Sequence, residues 1–157
     1  MQALPLLKLG QIYRAELQLL EAISEFQSAR PSYTTHHFLT ELFEIHQGHI
    51  VQLDKINEVV RFSPASDVEL PDKLRKLVAK NCFPERLLFS WLHEFGVQLL
   101  ELYKATTKLN KTFKETLPTS AWKQLQALEE QQSLKVVQLT DLLQQTTKII
   151  APSVWYS

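Results

Sequence analysis

Two long apolar seams in this chain are interrupted at their middles by groups that do not belong in a core. The first runs Leu6, Leu9, Tyr13, Glu16, Leu20, Ile23; the second runs Leu39, Leu42, His46, His49, Leu53, Ile56, Val60. Steps of three and four residues put every member on the inward line of a helix, so Glu16, His46 and His49 face the interior with the leucines. Burying a carboxylate and two imidazoles costs several kcal/mol unless they pair, hydrogen-bond or hold a metal. Any fold that accepts this sequence must therefore bring partners to them.

The rest of the chain reads as helix as well. Glycine is scarce, with three residues, and Leu, Gln, Glu and Lys, all good helix formers, dominate. Pro5 suits a first-turn position and opens a helix reaching Ser28, ahead of Arg30-Pro31. Thr34 or Thr35 is expected to cap a second helix that ends near Phe62, before Pro64. Ser63–Leu70 reads as a loop, and Pro71 opens a short helix from Asp72 to Lys80 that Asn81–Pro84 breaks. A third helix starts near Pro84 with the seam Leu88, Leu92, Phe95, Leu99, Leu102, Thr106, Leu109. After Leu117-Pro118, Thr119 or Ser120 caps a fourth, with the seam Trp122, Leu125, Glu129, Gln132, Val136, Leu139, Leu143, Ile150. Trp155 and Tyr156, beyond Pro152, are expected to dock as a short tail.

Loop lengths then set a topology for one all-α domain spanning residues 1–157. Short links make antiparallel hairpins of the first and second helices and of the third and fourth. The long second connection, with its own short helix, can cross the length of the bundle and leave the second and third helices parallel. One such crossover between two hairpins is the ferritin-like four-helix arrangement.

Composition narrows the function classes. Lys plus Arg balances Asp plus Glu at 17 each, which gives no general attraction to nucleic acid or anionic membrane. Cys82 is the single cysteine, which excludes an intramolecular disulfide and suits a reducing compartment. No secretory signal and no membrane-length apolar run is expected, so the location expected is cytoplasmic. There is no Gly-rich phosphate loop, nucleophile elbow or CxxC pair.

The seam residues carry the remaining chemistry. In di-iron bundles one helix of each hairpin supplies a Glu and the next supplies Glu-x-x-His. Here the first hairpin offers Glu16 and His46-x-x-His49, and the fourth helix offers Glu129-x-x-Gln132. The third helix has Phe95 and Leu99 at its seam centre, with His93, Glu94 and Glu101 on the flanks. That inventory, with Glu16, His46, His49, Glu129 and Gln132 as ligands, suits one divalent ion (iron, manganese or zinc) better than two. The plainer reading is a buried Glu–His hydrogen-bond network in a structural or protein-interaction bundle. His36 and His37, beside the second helix's start, are expected in solvent, as are the lysines at 104, 108 and 111. Trp91, Trp122 and Trp155 are expected as core or homodimer-contact residues.

The run Tyr13-Arg14-Ala15-Glu16-Leu17-Gln18-Leu19, with Ala22 one turn on, resembles the first helix of the YciE-like branch of the ferritin-like superfamily. Gly48-x-Ile50-x-x-Leu53-Asp54 and Leu139-Thr140-Asp141-Leu142 are similar to stretches of that family's second and fourth helices. The resemblance implies a ferritin-like fold, a metal ligand at Glu16 and a link to stress or iron handling. It also implies departures. Aligned on Gly48, the family's Glu-x-x-His becomes Glu44-x-x-Gln47, and its third-helix Glu falls on Gly96 or Leu99. The seam, by contrast, turns His46 and His49 inward. Enzymatic turnover is left open, with Phe95 at the third seam's centre weighing against it.

Overall fold

Pro5 sits in the first turn of α1 (Leu4–Ser28), where its missing N–H is not needed. Ala3 precedes this helix without a side-chain cap, and its carbonyl accepts from the amides of Leu6 and Leu7. At the other end the Ala29 N–H closes on the carbonyls of Glu25 and Phe26, just ahead of Pro31. In this computed structural model residues 3–29, 31–64 and 85–156 are described, with the backbone alone for 85–86 and 146–156. The expected crossover helix over 72–80 and Cys82 lie outside the described residues, and nothing is said of the side chains of Trp155 and Tyr156.

α2 (Tyr33–Val60) is capped by Ser32, whose Oγ accepts from the Thr35 amide at 3.3 Å. The cap therefore falls two residues before the earlier of the two threonines expected, and Thr35 is itself buried inside the helix. Arg61 ends α2 in the left-handed region, at φ 54°, while Asn57 Oδ1 takes the Phe62 amide at 2.7 Å. Phe62 then folds back edge-on against Tyr13, with ring centroids 5.7 Å apart.

α3 (Glu85–Lys108) passes into a 3-10 turn at Leu109–Lys111, and α4 (Thr119–Tyr156) follows. Trp122 Nε1 donates to the Lys114 carbonyl at 3.1 Å, pinning the link between these helices. α4 continues through Pro152, where the sequence suggested a separate tail. Among the described residues all regular structure is helical.

The contacts between helices fix their directions. Tyr13 meets Asp54 and Gln27 meets Thr40, so α1 and α2 are antiparallel. Thr107 meets Glu129 and His93 meets Thr140, so α3 and α4 are antiparallel too. Glu16 reaches Tyr103 while Phe26 packs on Trp91, so α3 runs against α1. Phe38 packs on Phe89 and His49 on Tyr103, so α2 and α3 run in the same direction, as the connection lengths suggested. α1 packs on α2 and α3, and α4 packs closely on α3 and more lightly on α2.

Burial follows the predicted seam of α2 residue for residue from Leu39 to Ile56, Val60 being only half-buried. On α1 the inward line passes through Leu9, Ile12, Glu16, Leu19, Ile23 and Phe26, one step round from Tyr13 and Leu20. On α3 Tyr103 is buried where Leu102 was expected, and on α4 Leu128 takes the core position assigned to Glu129. Trp91 and Trp122 belong to the core.

Candidate metal centre

Glu16 projects from the middle of α1 into the centre of the bundle and is fully buried. His46 and His49 stand one turn apart on α2, each 2% exposed, and aim the same ring atom at it. His46 Nδ1 lies 2.8 Å from Glu16 Oε2, and His49 Nδ1 lies 2.9 Å from Oε1. An ionised carboxylate only accepts, so both imidazoles donate from Nδ1. The two rings sit nearly edge to face, with centroids 4.9 Å apart.

The fourth participant comes from the second hairpin. Tyr103, fully buried on α3, donates its hydroxyl to Glu16 Oε1 at 2.8 Å. Glu16 thus accepts three hydrogen bonds, two on Oε1 and one on Oε2. The sequence alone does not single out this residue, because Leu102, its apolar neighbour, fits the seam equally well. The step of four from Leu99 and of three to Thr106 was the available signal.

The electrostatics follow from this geometry. Burial alone would raise the Glu16 pKa. The charge of His46 and the hydrogen bonds from His46 and His49 overcome that, holding it at about 2 against an ordinary 4.5. Tyr103 moves the other way: burial, the negative charge of Glu16 and the hydrogen bond to it raise the phenol pKa well above 10.0. The phenol therefore stays a donor. One atom is left over, since His49 Nε2 is buried with no hydrogen-bond partner.

Of the five residues expected as ligands, Glu16, His46 and His49 come together and two do not join them. Glu129 sits half-buried and accepts from the Thr107 hydroxyl at 2.9 Å. Gln132 is buried, but its amide donates to the Gly96 carbonyl at 3.0 Å, bracing α4 against α3. His36 and His37 are exposed, as expected, and His37 pairs with Glu41 at 3.1 Å.

The donor set fits one ion. One ligand atom from each of Glu16, His46 and His49 lies within 4.8 Å of the others, and among the described residues no other His, Cys, Asp or Glu group converges in this way. One carboxylate and two imidazoles match a single ion of the zinc, manganese or iron(II) type. Two ions would need bridging carboxylates, and Glu16 is the one carboxylate in the cluster.

Comparison with family models, with curated proteins and with solved structures gave no match. Among the described residues no helix is long and apolar enough to cross a membrane. The functional reading therefore rests on the site.

Proposed function

We propose that this chain is a ferritin-like helical bundle that holds one divalent ion through Glu16, His46 and His49. The observation that carries the reading is the convergence of three ligand atoms within 4.8 Å at a point closed to solvent. The parallel course of α2 and α3 supports the ferritin-like part, because an up-down-up-down bundle would set them antiparallel. A link to iron or stress handling rests on the YciE-like resemblance, and a cytoplasmic setting on the single cysteine. A role in holding metal is favoured over turnover, since α3 presents Phe95, Leu99 and Tyr103 along the line where a two-metal enzyme needs carboxylates.

A specific observation favours a second reading. Glu16 already accepts three bonds of 2.8–2.9 Å, so the cluster is also a complete anion-centred network in an interaction bundle. The two readings part on one experiment. Protein made without a His-tag and stripped with chelator is titrated with zinc, manganese and iron(II), the last without oxygen. The metal reading expects one equivalent bound and a melting temperature raised by about 5–10 °C at a hundredfold excess over Kd. The Glu16→Gln, His46→Gln double variant should not respond. A flat melt with no bound ion in the parent protein leaves the network reading in its place.

A further inference from the structure

We infer that Tyr103 is the positioning residue of this centre: its hydroxyl holds Glu16 Oε1, so that Glu16 meets the ion through Oε2 alone. The inference rests on the metal reading and deepens it. Oε1 takes two donors, Tyr103 Oη at 2.8 Å and His49 Nδ1 at 2.9 Å, whereas Oε2 takes His46 Nδ1 alone. An imidazole that gives its Nδ1 lone pair to a metal no longer donates from that atom. Both histidine bonds to the carboxylate are then released, and the phenol O–H is the one donor left. It stays on Oε1 and makes that oxygen the poorer ligand.

Two consequences follow. Glu16 binds through one oxygen, and with two imidazoles the ion has three protein ligands and an open position. The centre also spans both hairpins, because Tyr103 comes from α3 while Glu16, His46 and His49 come from α1 and α2. Nitrogen-rich donation of this kind selects zinc-, cobalt- or iron(II)-like ions over magnesium and calcium, which prefer all-oxygen sites.

Cobalt(II) is the probe, because its visible absorption is intense when four-coordinate and weak when five- or six-coordinate. Chelator-stripped parent protein and the Tyr103→Phe variant are titrated with cobalt(II), after apo melts have established that both are folded. The parent should take one equivalent with the intense spectrum. Tyr103→Phe frees Oε1 to join Oε2 on the ion, which raises the coordination number, so its spectrum should weaken and shift. Tyr103→Met, which fills the volume without a hydroxyl, serves if the Phe variant does not fold, and should give the same change. Superposable spectra in parent and variant would overturn the assignment of Tyr103 and leave the metal reading standing. No cobalt uptake by the parent would overturn both.

Discussion

Replacing Glu16 by Gln keeps the shape of the side chain and removes its charge, so it isolates what that charge contributes. A carboxyl whose pKa falls from 4.5 unfolded to about 2 folded stabilises the folded state by about 3 kcal/mol above pH 4.5. The amide also turns an N–H toward His46 Nδ1, setting donor against donor until the ring gives up its Nδ1 proton. At neutral pH, with chelator present, Glu16→Gln should therefore cost about 3 kcal/mol, or about 6–12 °C of melting temperature for a chain of this size. The pH dependence has a definite sign. Because the folded pKa lies below the unfolded one, the stabilisation is complete above pH 4.5 and drains away as pH falls toward 2. The gap between parent and variant should accordingly narrow by about 1.4 kcal/mol per pH unit across that window. Urea denaturation followed by circular dichroism, run on both proteins from neutral pH down to about pH 3, measures it. A gap below about 0.5 kcal/mol at neutral pH, within the range of an ordinary surface change, would refute the reasoning. So would a gap that does not narrow below pH 4.5.

Two further expectations are independent of metal. His46→Leu and His49→Leu should each cost about 1–3 kcal/mol by leaving a Glu16 oxygen short of a donor, while His36→Leu and His37→Leu stay within about 0.5 kcal/mol; thermal melts of the four variants decide it, and equal shifts would contradict the burial assignment. Gly48 lies inside α2 with nothing within 4 Å of where a Cβ would stand, so Gly48→Ala should stabilise by about 0.5–1 kcal/mol, read from the urea midpoint.

How legible each helix was in the sequence depended on what flanks its seam. α2 also has apolar neighbours beside its line, Phe43 and Ile50 among them, but its leucines and histidines keep one unbroken run of three- and four-residue steps, and burial follows it. α3 and α4 carry apolar residues side by side, such as Leu99-Leu100 and Leu102-Tyr103. A strict alternation of threes and fours averages 3.5 against the helix's 3.6 residues per turn, so neighbouring positions compete for the inward line. On α3 Tyr103 is the inward residue and not Leu102, and on α4 Leu128 is inward and not Glu129; in each case the neighbouring position fits the same steps of three and four. The Ser32 cap was displaced for a different reason: Thr34 and Thr35 are also good capping types, and backbone direction after Pro31 chooses among them. Glu16, His46 and His49 were readable because three polar groups on clean seams have one economical arrangement. Their third-helix partner was not, since a tyrosine among leucines looks like core.

The Glu16 cluster also fixes how the helices register. Leucine seams tolerate sliding, because a one-turn slip of α1 along α2 replaces one apolar contact by another. The charge does not tolerate it. A slip of one turn, about 5.4 Å, would carry Glu16 away from both imidazoles and leave an ion alone in the core, at a cost of several kcal/mol. The same holds when the second hairpin docks, since Tyr103 meets Glu16 from 87 residues away in sequence. Each hairpin can collapse on its leucines in several alignments, but only one alignment gives the carboxylate all three donors. The polar layer thus acts as an indexing pin, turning a set of interchangeable greasy helices into a bundle with a single seating.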